Sequence, residues 1–200
     1  MATRPEDVLE FWFGAPGSAR EIAARQSSLW FAKSPANDQA VIDLFSATLT
    51  QAGAGQLQHW AVIPRERLAL IIVLDQFPHH IHRDQSGAFA TDHLALALAL
   101  KTLAAGEADQ LSLIERVFLY LPLEHAESLP LQEQAVTLYA ALLSEAADDE
   151  RALFDGFLDY ARKHRDVVAR FGRFPHRNAI LGRDSTPDEV AFLKQPGSRF

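Results

Sequence analysis

The chain has 200 residues, of which 48% are hydrophobic and 22% are charged, and its formal net charge is −7. A chain of this length and composition buries a substantial core and is not intrinsically disordered. It contains no cysteine, which excludes disulfide bonds, thiolate zinc sites and cysteine nucleophiles and fits a reducing compartment. The acidic balance argues against general nucleic-acid binding.

The first residues lack the features of a secretion signal, and no apolar run is long enough to span a membrane. The opening segment MATRPEDVLEFWFG mixes acidic and apolar residues and has no basic region followed by a hydrophobic one. The longest apolar run, LALIIVL at 68–74, is far shorter than the roughly 20 residues that a spanning helix needs. We therefore expect a cytoplasmic protein with no membrane partner.

Helical periodicity runs through almost the whole chain, and no segment has the pattern of a strand. In chain order, apolar spacing and capping residues predict helical segments over 5–13, 19–33, 37–51, 64–78, 92–105, 111–121, 130–146, 149–171 and 186–193, with the short segment 56–62 between the third and the fourth. The last helix has the clearest start, because Thr186, Pro187 and Glu189 form a capping-box sequence. We predict an all-α fold.

Positive charge is concentrated near the C-terminus, in RFGRFPHRNAILGR at 170–183 and in the helix before it. Residues 162–183 contain seven basic residues and one acid, a charge of +6, so the other 178 residues sum to −13. Gly172 is predicted to end the helix, and Pro175 to turn the chain back over the protein. Because arginine binds carboxylates and phosphates in bidentate geometry, these arginines bind either buried acids of the protein or an anionic ligand.

Two polar residues interrupt helix faces that are otherwise apolar. Asp75 lies on the apolar face of the 64–78 helix, where a lone ionised carboxylate costs several kcal/mol and therefore needs a cationic or hydrogen-bonding partner. His164 interrupts the apolar stripe of the 149–171 helix, with Tyr160 on the same stripe. The structural alternatives are a salt bridge for Asp75 and a hydrogen-bonded core histidine for His164.

The segment LPLEHAESLPLQ combines two carboxylates with a histidine. Pro122 and Pro130 bracket a short turn or single helical turn that carries Glu124, His125 and Glu127. A carboxylate beside an imidazole orients the ring or raises its pKa, as general acid–base catalysis requires. Alternatively, Glu124 caps the next helix and His125 is solvated.

Three histidines occur within four positions of FPHHIHRD, namely His79, His80 and His82, a density that suggests metal binding. However, the segment lacks a helical ligand pair such as H-E-x-x-H, and Pro78 places the histidines at a helix end, where we expect them to be exposed. We therefore predict no metal ligand, and a solvated loop is the simpler interpretation.

Motifs spread from residue 8 to about residue 195 resemble those of the DUF924 family. They are LEFWFG, LWF, LDQFP, AFATD, YLPLEHAE and RFGRFPHRNAILGRDSTPDE. The family is named for its unknown function, so the resemblance implies a fold and no activity. That fold is a TPR-like array of about ten antiparallel helices in one domain over 1–200, with diverged repeats. The chain departs from the family pattern after DQFP, where His79 and His80 replace the usual Arg-Asn.

The polar residues singled out above come from four distant segments. Because each buried charge is costly alone, we expect Asp75, the acids and histidine of 124–127, His164 and the arginines of 170–183 to form one network.

The first functional hypothesis is a site for a small anionic metabolite, in a binding protein or a cofactor-independent enzyme. The catalytic candidates are His125, Glu124 and His176. The ligand-binding candidates are Asp75, Arg173, Arg177, Asn178, His164, Trp12, Trp30 and Phe31, with the last three as apolar walls. No nucleotide fingerprint, phosphate loop or serine elbow is present, so we predict no cofactor.

The alternative is a TPR-like scaffold for a protein or peptide partner, in which the polar network only rigidifies the fold. A cavity of several hundred Å³ beside the network would favour the ligand site. An open groove without convergent polar groups would favour the scaffold.

Overall fold

The structure, a computed structural model, describes residues 2–198, and this range consists of α-helices, short 3₁₀ turns and loops, without a β-strand. In chain order its ten α-helices are α1 (Pro5–Phe13), α2 (Ala19–Phe31), α3 (Pro35–Gly53), α4 (Pro64–Asp75), α5 (Phe77–Ile81), α6 (Asp92–Ala104), α7 (Leu113–Glu124), α8 (Leu129–Glu145), α9 (Arg151–Phe171) and α10 (Pro187–Phe192). The predicted all-α fold is confirmed, while TPR-type repeats and a single domain stay predictions. None of the described helices combines the length and apolar character that crossing a membrane requires.

Helix α4 is the central element of the described structure. All of its residues from Arg67 to Asp75 are buried, and it packs against α1, α3, α6 and α7. A helix that is apolar around its whole circumference has to be surrounded on all sides, which explains why LALIIVL lies at the centre. Its C-terminal end carries Asp75 into the interior.

An aromatic cluster from several helices packs beside α4. The fully buried ring of Trp12 contacts the rings of Phe77 and Phe118 edge-on, with centroids 5.7 and 5.5 Å apart. Such contacts stabilise the core beyond the area they bury. The cluster fixes α1 and α5 against α7, and thereby the ends of the helices that carry the polar residues.

The C-terminal segment packs through a small apolar cluster of its own. Helix α9 ends at Gly172, whose φ of 70° is the left-handed conformation predicted for this position. Phe174 then turns inward to pack on Val167 and Val168. The predicted capping box of Thr186 is confirmed, and it starts α10.

Two local predictions are wrong. The helix predicted over 64–78 ends at Asp75, and a new helix, α5, starts at Phe77 with Pro78 in its first turn, a position that proline favours. Tyr160 does not share the buried stripe of His164, because its side chain is 56% exposed and lies beneath the ammonium group of Lys163.

Candidate functional site

Asp75 and His125 form a buried pair between the ends of α4 and α7. His125 Nδ1 donates a hydrogen bond to Asp75 Oδ1 at 3.0 Å, and Gln76 donates to the other carboxylate oxygen. Burial raises the pKa of Asp75, but the charge of His125 and its hydrogen bond outweigh burial and hold that pKa below its ordinary value. Burial likewise lowers the pKa of His125, but Asp75 raises it above its ordinary value. Both shifts favour the ionised form of the pair, a carboxylate beside an imidazolium.

Glu124 and His164 form a second pair behind the first. Helix α7 continues through Pro122 to Glu124, so the predicted turn contains His125 and Glu127 but not Glu124. His164 Nδ1 lies 3.0 Å from Glu124 Oε1 and 2.9 Å from the carbonyl oxygen of Tyr160. Both are acceptors, so Nδ1 carries a hydrogen. The rings of His125 and His164 are 6.5 Å apart, which brings the two pairs into one cluster.

Glu127 connects the segment that follows α9 to the same cluster. Arg183 binds its carboxylate with both Nη atoms, at 2.6 and 2.8 Å, and the backbone N–H of Phe174 donates a third hydrogen bond at 2.8 Å. Burial raises the pKa of Glu127, but the hydrogen bonds from Arg183 and Phe174 bring it below its ordinary value. The charges of this arginine and this carboxylate are thus satisfied within the protein.

Arg177 is held very differently. Its guanidinium lies between the rings of Phe89 and Phe174, 4.7 and 4.6 Å from their centroids, and its side chain is only 9% exposed. The nearest carboxylate oxygen of Asp92 is 3.7 Å from Nη1, beyond hydrogen-bond distance, and Nε has no hydrogen-bond partner within residues 2–198. Burial lowers the pKa of Arg177 below its ordinary value. A buried guanidinium with unused donors is unusual.

His79 and Asp92 complete the cluster, and sequence reasoning assigned a site role to neither. The His79 ring lies 5.6 Å from the His125 ring, and burial together with the His125 charge lowers the pKa of His79 to about 3. Burial and the Asp75 carboxylate raise the pKa of Asp92 to about 6. His79 Nε2 and Asp92 Oδ1 are buried, and neither has a hydrogen-bond partner in the described part of the chain.

The side chains of His79, Asp92, His125 and Arg177 lie close together, and we call this group the polar recess. It is partly open, since the side chains of His125 and Asp92 are 17% and 22% exposed although Asp75 behind them is fully buried. His79 was expected to be solvated because Pro78 was interpreted as marking a helix end. Pro78 instead lies in the first turn of α5, a position that proline favours, and the break between α4 and α5 turns His79 towards His125.

The other two histidines of the triple-histidine segment do not line the recess. His80 is buried and not exposed as predicted, since its Nδ1 lies 2.9 Å from Asp38 Oδ1, where Arg83 also binds. No group of three or more His, Asp or Glu side chains within residues 2–198 is arranged to hold a metal ion.

His176 lies on the other side of Arg177, next to Phe174, with ring centroids 5.6 Å apart. Burial and the Arg177 charge lower the pKa of His176 to about 4, so its ring is neutral at neutral pH. Of the three predicted catalytic residues, His125 lines the recess, while Glu124 and His176 lie next to it and contact its neighbours.

Arg173 and Asn178 both bind Glu189 and thereby hold α10 against the rest of the C-terminal segment. Arg173 binds both carboxylate oxygens of the buried Glu189, at 2.7 and 2.9 Å. That guanidinium, together with the backbone N–H of Thr186, which donates to Glu189 Oε2, lowers the pKa of Glu189 to about 2. Asn178 is fully buried and accepts from Arg183 Nε at 3.0 Å. Both candidates are occupied by contacts within the chain.

The predicted apolar walls lie elsewhere. Trp12 and Trp30 are buried in the aromatic core, and Trp30 Nε1 donates to the Trp12 carbonyl oxygen at 2.8 Å. Phe31 is 58% exposed and packs on Phe157. The aromatic side chains that contact the recess are instead Phe89 and Phe174.

Two surface depressions are formed by other residues. One, of about 440 Å³, is lined by Arg170, Phe171, Arg173, Thr186, Asp188 and Glu189, and the other, of about 250 Å³, by Leu143, Arg151, Ala152 and Asp155. The larger depression has the volume expected of a ligand site, and it lies beside Arg173. Glu189 already binds Arg173, and the guanidinium of Arg170, which also lines the larger depression, lies over the rings of Phe171 and Phe192.

These features define an all-helical protein in which the ends of several helices meet at a cluster of paired and unpaired charges. The chain belongs to the DUF924 family, described as bacterial proteins of unknown function, which it matches over residues 8–197. It is similar to a solved structure of a protein of unknown function, ATU0120 from Agrobacterium tumefaciens, with 34% identity, a TM-score of 0.79 and coverage of 95% of this chain and 96% of that one. A search of curated proteins gave no match.

Proposed function

We propose that the polar recess binds a small anionic metabolite through Arg177, and that His125 transfers protons there without a cofactor. The observation that carries the proposal is the contrast among three arginines of one segment. Arg173 and Arg183 each bind a carboxylate of the protein in bidentate geometry, whereas Arg177, which is more deeply buried, faces its nearest carboxylate at 3.7 Å. An arginine that is buried without such a partner has donors available for a ligand.

His125 is suited to acid–base chemistry because its Asp75 partner fixes the ring. The hydrogen bond at Nδ1 leaves Nε2, on the opposite side of the ring, as the nitrogen that exchanges a proton with a ligand. Asp75 keeps the ring protonated towards neutral pH, so His125 enters the reaction as an acid and returns as a base. The absence of cysteine from the sequence fits a reducing compartment, and we propose that the protein acts in the cytoplasm.

One observation supports the scaffold hypothesis. Phe31 is exposed beside Phe157, and a partner helix or peptide would cover such an aromatic pair. In that case Arg177 is structural, as Arg183 is. The two hypotheses therefore differ in what happens when each arginine is removed.

The test compares Arg177→Met with Arg183→Met in a thermal-shift screen of phosphate, phosphate esters and small carboxylates. A ligand at 100 times its Kd stabilises the fold by about 2.7 kcal/mol, which raises the Tm by several degrees. We expect such a shift in the wild type and its loss in Arg177→Met. Without ligand, the Tm of Arg177→Met should fall less than that of Arg183→Met, because Asp92 loses a cation 3.7 Å away whereas Glu127 loses two direct hydrogen bonds.

Arg183→Met is the matched control, and it should melt at a lower temperature because it leaves Glu127 without its bidentate partner. If no compound shifts the wild type and Arg177→Met melts as low as Arg183→Met, the arginine is structural and the scaffold hypothesis takes the lead.

A further inference from the structure

The charges around the polar recess are nearly balanced, which restricts what can bind there. Arg177 is the cation nearest to Asp92, and the imidazolium of His125 is already paired with Asp75. A bare anion that approaches Arg177 therefore also approaches the carboxylate of Asp92. Like charges at close range are unfavourable in a partly buried site, so a simple anion gains little.

The unpaired atoms of the recess are of two kinds. Arg177 Nε is a donor that requires an acceptor, and Asp92 Oδ1 is an acceptor that requires a donor. Both atoms are buried, and neither has a hydrogen-bond partner within residues 2–198. A buried polar group that stays unpaired costs free energy, so a molecule that satisfies both atoms at once is strongly favoured over one that satisfies a single atom.

We infer that the ligand of this site carries a hydrogen-bond donor next to its anionic group, as in a small hydroxy acid, an amino acid or a phosphate ester with a neighbouring hydroxyl. The anionic group accepts from Arg177, and the hydroxyl or ammonium group donates to Asp92 Oδ1. His79 Nε2 is a third buried atom without a hydrogen-bond partner within residues 2–198, and it is available to the same hydroxyl or ammonium group of the ligand. This inference rests on the proposed function and specifies its ligand class.

The experiment measures the affinities of matched compounds by calorimetry. Lactate, alanine, propionate and pyruvate share a three-carbon carboxylate and differ at C2, which carries a hydroxyl, an ammonium, only hydrogen or a carbonyl oxygen. Glycerol 1-phosphate and propyl phosphate are the corresponding pair of phosphate esters. We expect lactate to bind at least about tenfold more tightly than propionate, and glycerol 1-phosphate at least about tenfold more tightly than propyl phosphate. A hydrogen bond to a buried charged group discriminates by that much or more.

Asp92→Asn tests whether Asp92 is the residue that accepts a hydrogen bond from the hydroxyl or ammonium group of the ligand. The amide oxygen should turn towards Arg177 Nη1, in the place of the carboxylate oxygen that lies 3.7 Å away, and this leaves the amide N–H₂ where Oδ1 was. The variant should therefore lose the preference for lactate over propionate and bind pyruvate more tightly than the wild type does. Asp109→Asn, at a side chain that is 88% exposed, removes the same charge from the surface and should keep the wild-type preference.

The wild-type ratios decide the inference even if Asp92→Asn does not fold. Equal affinities within both pairs, or a wild-type preference for pyruvate, would overturn the donor requirement while leaving the anion site intact. Failure of every compound to bind would overturn the proposed function together with the inference. A donor preference that survives in folded Asp92→Asn would contradict the role assigned to Asp92.

Discussion

At the residue scale, the protein holds an ion pair where a helix would ordinarily be apolar. Asp75 occupies the last position of α4, where the helix dipole disfavours a negative charge, and it is fully buried. The imidazolium of His125 at 3.0 Å compensates for both penalties. The same contact fixes the orientation of the His125 ring at the edge of the polar recess.

Replacing Asp75 by Asn should invert the pKa shift of His125. In the wild type, the Asp75 charge outweighs burial and raises the pKa of His125 above its ordinary value of 6.5. Without that charge, burial remains and lowers the pKa below 6.5. Long-range ¹H–¹⁵N NMR titration of the histidine rings measures this directly. A His125 pKa that is the same in both proteins would show that Asp75 is not its charge partner.

At the element scale, the position of the α7 C-terminus depends on one side chain of α8. Gln132 is fully buried, and its Nε2 donates to the carbonyl oxygens of Glu124 and Ala126, which would otherwise be unsatisfied at the helix end. Glu124 and His125 both lie at this end. The geometry of the recess therefore depends on a residue that does not touch it.

Gln132→Met keeps the length of the side chain and removes its donors. We expect the free energy of unfolding to fall by about 2 kcal/mol, because two or more carbonyl groups lose a buried partner. The exposed Gln134→Met on the same helix is the matched control and should stay within about 0.5 kcal/mol of the wild type. Urea unfolding measures both, and equal values for the two variants would contradict the capping role.

At the scale of the whole molecule, buried histidines that are kept neutral contribute to the loss of stability in acid. His79 has a pKa of about 3 in the folded protein and 6.5 as its ordinary value, so between these values the unfolded chain binds a proton that the folded chain does not. Stability therefore falls as the pH drops below 6.5. Asp92, with a pKa raised to about 6, binds a proton in the folded state and partly offsets this loss.

His79→Gln should flatten the acid side of the stability profile. Each pKa unit corresponds to about 1.4 kcal/mol, so His79 accounts for a loss of about 2 kcal/mol between pH 7.5 and pH 5. Urea unfolding at the two pH values should show that the variant loses less stability than the wild type by that amount. The exposed His93→Gln should behave as the wild type, and an identical pH difference in His79→Gln would contradict the assignment.

The sequence predicted local structure best where it depends only on residues that are neighbours in the chain. The helix over 5–13, the left-handed Gly172 and the capping box at Thr186 depend on neighbouring residues, and the structure confirms each. Burial of Asp75 and His164 followed from the apolar spacing of their helices. The distinction between Arg173 and Arg177 did not follow, because it depends on which acids lie opposite them. Glu189, the partner of Arg173, belongs to α10, and Asp92, the acid nearest to Arg177, belongs to α6. Neither acid is a sequence neighbour of its arginine.

The way in which the recess is assembled has a consequence for how the protein folds. Helices α8 and α9 are consecutive and pack closely on each other, so their contacts form between residues that are near in sequence. The ion pairs beside the polar recess instead join Asp75 to His125, 50 positions apart, and Glu127 to Arg183, 56 positions apart. Long loops close slowly because their entropy is lost before the contacts form. We therefore expect the hairpin of α8 and α9 to form first, and the side chains of the polar recess to come together last.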